Sequence, residues 1–275
     1  MPAGDGSARS HPDIRVERAG PVVTVTLDRP QAKNACTGDM WVALGAIFRD
    51  VGYGGARVVV LTGAGGDFCT GADLGGGRGD DAPAATGDRP LGTMTDAMRV
   101  LGDVVLAVHH CPVPVIAKVD GLCVGAGLGL ALAADLLWCS DRARFCAIFA
   151  RRGLSLDFGT SWLLRQRIGV HRAKELAFTA RMVDATEAMR IGFVNAVVPA
   201  DELDDAVAAL AETIAAGPPI ALASTKRELD NASTMALAQA LEVEALAQSV
   251  NVQTADMREA LLAWFERRPP RFEGR

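Results

Sequence analysis

An α/β architecture built on a largely parallel sheet follows from three features of the chain. Short β-branched runs alternate with stretches of helical periodicity up to about residue 200, the arrangement of βα units. Two glycine-rich loops, 63–74 and 121–127, each follow such a run. From Asp201 onward the pattern is helical throughout, which marks a terminal helical layer. Hydrophobic residues at 49% and charged residues at 22% are the balance of an ordinary globular chain with a sizeable core.

The elements follow in order. Residues 1–12 read as a disordered leader. Residues 14–17 and 22–27 alternate apolar and polar side chains around Ala19-Gly20-Pro21, the signature of a hairpin. Asp28-Arg29-Pro30 ends it, and Thr37 is placed to cap a helix over 40–51. The run RVVVLT (57–62) is a strand of the fully buried type. A loop over 75–92, rich in Gly and Asp, precedes helical periodicity over 93–110. Pro112 and Pro114 then reset the chain for a central strand at 114–119, and 135–140 and 144–147 read as further short strands. Helices are expected over 160–168, 171–180 and 185–190, with a strand at 194–198. The terminal helices fall at 201–216, 219–231, 234–250 and 254–267, punctuated by Pro218-Pro219 and Pro269-Pro270.

Composition removes several classes of function. A net charge of −5 and 5% aromatic residues argue against non-specific nucleic-acid binding and against a base-stacking surface. No apolar run approaches the length of a membrane span, and the N-terminus lacks both a signal core and the form of a transit peptide. Six cysteines without a C-x-x-C spacing sit mostly in apolar surroundings, as buried thiols of a reducing compartment do. A cytoplasmic protein is expected. The histidines (11, 109, 110, 171) show no triad or metal-ligand spacing, and no motif points to a metal.

The chain centres on KVDGLCVGAGLGLALAAD (118–135). A strand runs out here, passes Gly121, Gly125 and Gly127, and enters an apolar helix pattern at 128–134. The first amides of such a helix have no internal partner and sit at the positive end of its dipole. A phosphate, a carboxylate or a developing oxyanion suits them. The spacing is Gly-x-Gly-x-Gly, and no Gly-Lys-Ser/Thr follows, so dinucleotide and P-loop readings are poor. Tight helix–sheet packing is the competing explanation of the glycines.

Six segments, in register along nearly the whole chain, resemble the crotonase superfamily of enoyl-CoA hydratases and isomerases. They are LDRPQAKNA (27–35), VVVLTGAGGDFCTGADL (58–74), PVIAKVDGLCVGAGLGLALAADL (114–136), RRGLSLDFGTSWLLRQRIG (151–169), ARMVDATEAMRIGFVNAVVP (180–199) and LLAWFERRPPRFEGR (261–275). The resemblance implies a crotonase-type spiral of ββα units over 13–200 and a C-terminal helical trimerisation region over 201–275. It implies homotrimers, often paired into hexamers, and an acyl-CoA substrate with no cofactor beyond that CoA. The thioester carbonyl would lie between two backbone amides, by motif position those of Ala72 (in GAD) and Ala126 (in GAG). An oxyanion-hole donor of this kind is worth about 3–4 kcal/mol in the transition state. Lys33, Ala35, Asp73 and Leu74 fall where relatives line the CoA path, although a carboxylate at Asp73 is better suited to holding its loop than to meeting phosphates. Phe265 matches an aromatic that reaches a neighbour's adenine site.

The chain departs from the family at the two acids of its hydratases. The first position is Gly129 and the second aligns with Phe149, neither of which can transfer a proton. Asp157, in LSLDFGTSW, stands where isomerases of the family carry an acid and the dehalogenase branch its nucleophile. Its competing role is a helix N-cap. Phe149, Leu154, Phe158 and Trp162 are candidates for an apolar surround that would raise its pKa. Asp80, Asp81, Asp88 and Asp96, in or beside the loop over the acyl pocket, are candidates for a second acid. The reading that results is an enoyl-CoA double-bond isomerase with one carboxylate. The alternatives are an atypical hydratase, a CoA-thioester hydrolase or dehalogenase with Asp157 as nucleophile, and a non-catalytic acyl-CoA binder.

Overall fold

The computed structural model describes residues 11–73 and 91–275. Strands β1 (Ile14–Ala19) and β2 (Val22–Leu27) form an antiparallel hairpin with Ile14 opposite Leu27. Parallel pairing then carries the sheet through β3 (Val58–Gly63), β4 (Val115–Val119), β6 (Leu136–Ser140) and β9 (Ala196–Val198). The order is β1-β2-β3-β4-β6-β9. A second, smaller sheet is made by β5 (Leu122–Val124), β7 (Arg144–Cys146) and β8 (Val183–Asp184). Its line continues through single bridges, Cys69 with Cys123 and Cys36 with Ala72. Each turn of the chain therefore places a long strand in one sheet and a short one in the other, then a helix.

Strand β3 is buried on both faces of the large sheet, which explains why RVVVLT is apolar without alternation. Val59 and Leu61 point into the main core, while Val58 and Val60 point the other way. This is the period of two along a strand. The main core is closed by α1 (Gly38–Val51), α2 (Leu91–His109), α3 (Ala126–Ala133), α4 (Thr160–Thr179) and α5 (Ala185–Ile191). Thr37 caps α1 as expected, its hydroxyl accepting from the Met40 amide at 3.4 Å. Gly169, with φ 76°, breaks α4 where the sequence separates two helices.

The boundary at 200 differs from the spatial one. Helix α6 (Leu203–Ala215) lays Leu203, Val207, Ala211 and Ala215 on Val58, Val60 and Ile116, so it covers the sheet as part of the core. Lys226 of α7 (Pro219–Ala232) pairs with Asp135 at 2.8 Å, and Asp135 also accepts from the Val115 amide at 2.7 Å. Helices α8 (Leu237–Asn251) and α9 (Ala255–Glu266) instead expose Leu237, Leu241, Leu246, Leu261, Leu262, Trp264 and Phe265. The expected leader lies outside the described residues except for His11 and Pro12. These form a turn in which Ile14 donates to the His11 carbonyl at 3.0 Å. No single helix among the described residues is long and apolar enough to cross a membrane.

Candidate active site

Two chain segments meet at the edge of the small sheet. Gly71 and Asp73 both bond Cys36: the Cys36 amide donates to the Gly71 carbonyl at 2.8 Å, and the Asp73 amide to the Cys36 carbonyl at 2.9 Å. Backbone groups alternate in direction along an extended segment, so the N–H of Ala72, between these two, points away from Cys36. On that far side runs the Val124–Ala126 segment. A methyl group on Gly71 would come within 3.1 Å of the Val124 carbonyl and 3.2 Å of the Ala126 nitrogen.

Ala126 is the first residue of α3, after Gly125 with φ 60° and ψ −125°. Its amide therefore has no intrahelical acceptor, and the whole helix behind it is buried. Among the described residues neither the Ala72 nor the Ala126 N–H has an acceptor. Two amides without acceptors on adjacent segments, one at the positive end of a buried helix, are chemically suited to receiving negative charge.

A network that sequence reasoning missed holds the first segment. Asn34 is fully buried and donates to the carbonyls of Ala64 (2.8 Å) and Asp67 (2.7 Å) while accepting from the Arg29 amide (2.9 Å). Arg29 pairs with Asp73 at 2.6 Å and donates to the Ala35 carbonyl at 3.0 Å. The Asp73 carboxylate is thus engaged in tying its loop to the segment after β2. Lys33 lends its carbonyl to the Thr70 amide at 3.2 Å while its side chain is exposed. Phe265 is exposed on α9 beside Trp264, ring centroids 4.9 Å apart, and Leu74 lies outside the described residues.

Three residues beyond Ala126, about 4.5 Å along the axis and just short of one turn, lies Gly129. The space a side chain would need there is occupied. A methyl on Gly129 would fall 2.3 Å from the Phe158 carbonyl oxygen and 2.9 Å from Thr160 Oγ1. The segment carrying Asp157 has therefore packed against α3 where the first hydratase acid would project. Phe158 and Gly159, the two residues after Asp157, both take positive φ (49° and 72°). For a phenylalanine that is a strained conformation, of the kind that surrounding packing must enforce. Its ring is held by Trp41, centroids 4.5 Å apart.

Asp157 does not cap α4. The cap position is Gly159, and Asp157 contributes only its backbone carbonyl, which accepts from the Thr160 amide at 2.9 Å. Its carboxyl oxygen Oδ1 is buried without a hydrogen-bond partner among the described residues. Burial pushes this carboxyl above the usual carboxylate range. Phe149 and Phe158 are buried, whereas Leu154 and Trp162 are exposed and Trp162 packs on His109 instead. The aromatic that packs on Phe158 is Trp41, which the sequence did not single out. Asp96 is exposed and paired with Arg99 at 2.8 Å; Asp80, Asp81 and Asp88 lie outside the described residues. Among the described residues no cluster of His, Cys, Asp or Glu could hold a metal ion.

Comparison with known proteins places this arrangement. The enoyl-CoA hydratase/isomerase family profile matches residues 17–275, and the chain belongs to that family. An enoyl-CoA hydratase from Bacillus anthracis superposes with a TM-score of 0.88 at 31% identity, covering 96% of this chain and all of that one. The 1,2-epoxyphenylacetyl-CoA isomerase of Escherichia coli is 33% identical over 92% of this chain and 95% of its own. A relative from Thermobifida fusca, assigned by name to the enoyl-CoA hydratases, was solved in complex with CoA; it shows 34% identity and a TM-score of 0.79 over 87% of this chain and 93% of its own. The architecture is the crotonase fold that the sequence suggested. Hydratase names outnumber isomerase names among these relatives.

Proposed function

We propose that this acyl-CoA-processing enzyme is an enoyl-CoA double-bond isomerase. The observation that carries this reading is the half-buried Asp157, whose Oδ1 is buried without a partner among the described residues, beside a Gly129 that has neither an acid nor room for one. The Ala72 and Ala126 amides receive the thioester oxygen. As Asp157 removes a proton from one carbon of the acyl chain, electrons move onto that oxygen and the amides hold the dienolate. Asp157 then returns the proton two carbons away, the double bond shifts, and no atom is gained or lost. A lone carboxylate in an apolar surround is suited to this, because burial brings its pKa towards the working pH. Hydration needs acids that position water, and neither Gly129 nor Phe149 supplies one. Conversion of 3-enoyl-CoA by wild type and Asp157→Asn tests the reading; wild-type rates in the variant would overturn it.

The oxyanion role of Ala126 has its own test. Proline removes the N–H yet is favoured in the first turn of a helix, so Ala126→Pro deletes the donor with the helix start retained. A loss of about 10²–10³ in kcat is expected, with far-ultraviolet circular dichroism unchanged.

Lys33, Ala35 and Leu74 would line the path of the CoA moiety, with Asp73 shaping it through its hold on Arg29. The exposed apolar faces of α8 and α9 would join copies of the chain into a trimer or a pair of trimers, bringing Phe265 to a neighbour's CoA. Light scattering after size exclusion should return the mass of three or six chains, and a monomer would contradict this assembly.

A further inference from the structure

Thr160 Oγ1 is the second buried side-chain oxygen at the site without a partner among the described residues. Thr160 is completely buried and opens α4. A buried hydroxyl in a finished core is bonded, because leaving one unpaired costs folding energy. The hydroxyl here is not turned away from the chemistry: it lies 2.9 Å from where a Gly129 methyl would stand, one turn from the Ala126 amide. Its amide is bonded to the Asp157 carbonyl at 2.9 Å, closing a four-residue turn over Asp157, Phe158, Gly159 and Thr160. Such a turn brings its first and last residues within about 7 Å of each other, Cα to Cα. The two positive-φ residues at its centre set the direction in which both side chains leave it. Two orphaned oxygens, one acidic and one a hydroxyl, thus sit at the two ends of one tight turn.

We propose that Thr160 is a positioning residue for the proton shuttle: when the acyl group is bound, its hydroxyl donates to the Asp157 carboxylate, directly or through one water. The donor orients the carboxylate towards the chain carbons and supports its charged form before it takes the proton. When Asp157 is protonated the same hydroxyl can accept, so one group serves both halves of the shuttle. Burial raises the Asp157 carboxyl, with no charged side chain among the described residues contributing. The inference rests on Asp157 being the base.

The test compares Thr160→Val, which keeps the shape without the hydroxyl, with Thr160→Ser, which keeps the hydroxyl. Thr160→Val is expected to melt at the wild-type temperature or above it, since a buried unpaired group is removed. Its kcat on 3-enoyl-CoA should fall about 10- to 100-fold, the scale of losing one hydrogen bond to a charged group. The acid limb of its pH profile should move to higher pH, because the ionised carboxylate has lost a donor. Thr160→Ser should restore both rate and limb. Thr160→Ala serves if the valine variant does not fold. Wild-type kcat and an unmoved limb in Thr160→Val would overturn the inference, as would serine and valine variants that lose melting temperature and rate in parallel. An active Asp157→Asn overturns the shuttle itself, whereas an inactive Asp157→Asn beside a normal Thr160→Val overturns only the role of Thr160.

Discussion

Asp157→Asn is expected to lower kcat on 3-enoyl-CoA by about 10²- to 10⁴-fold, the range for removal of a general base. Asparagine keeps the size of the side chain, so the turn at Phe158 and the buried Thr160 stay in place. The same variant should be more stable at neutral pH. Burial raises the folded carboxyl above its unfolded value. The unfolded chain therefore gives up this proton first, and folding loses stability as pH climbs from the ordinary carboxylate range through the raised value. Above both values the full cost persists, and asparagine removes it. We expect a gain below about 1 kcal/mol at pH 7, because asparagine removes only the charge and solvent screens a half-buried group, shrinking to nothing in acid. Urea unfolding of both proteins at pH 7 and below the ordinary carboxylate range measures it. A variant that is inactive and less stable at pH 7 would identify Asp157 as structural.

Gly129→Glu rebuilds on paper the first acid of a hydratase, and it should fail in practice. The first side-chain carbon alone would lie 2.3 Å from the Phe158 carbonyl and 3.1 Å from Phe158 Cβ. Neither can swing aside, because Phe158 is already strained and its ring is seated on Trp41. Alanine at 129 isolates the steric part. It gains about 1 kcal/mol of helix propensity but meets backbone rather than a flexible side chain, and overpacking of this kind costs about 1–3 kcal/mol or more. We expect the steric cost to win. Glutamate adds an unpaired buried charge and should destabilise the protein by at least about 3 kcal/mol. Thermal unfolding of both variants, with an assay of 2-enoyl-CoA hydration, tests this. A stable, hydrating Gly129→Glu would show that the turn after Asp157 yields its place easily.

What could be read from the chain divides along the range of the interactions. The strands of the large sheet were legible because each is a continuous apolar run or a clear alternation. The strands of the small sheet were only partly so: 122–124 lay hidden inside what looks like a loop. Such a strand is specified by its partners, Cys69 and Arg144–Cys146, and not by itself. Helix α3 begins at Ala126, before the expected 128, since burial of every residue overrides the poor helix propensity of Gly127 and Gly129. Asp157 was visible as an acid in a motif. Whether it capped a helix was not, because that depends on which residue takes the cap geometry. Thr160 gave no signal, since an unpaired buried hydroxyl is a property of its surroundings. Arg29 and Asp73, 44 residues apart, could not be paired from sequence. Gly129 read as a missing acid, and only the packing of Phe158 against it shows that the space is filled as well.

In the proposed reaction one half-buried carboxylate, Asp157, moves a proton between two carbons of a CoA-linked acyl chain. Turnover of 3-enoyl-CoA by the wild-type protein in D2O, followed by nuclear magnetic resonance and mass spectrometry, reads that transfer. The expected product is 2-enoyl-CoA in which part of the transferred hydrogen is still protium, because the proton Asp157 removes is returned before it fully exchanges. Accumulation of 3-hydroxyacyl-CoA from 2-enoyl-CoA, with 3-enoyl-CoA left unchanged, would contradict it.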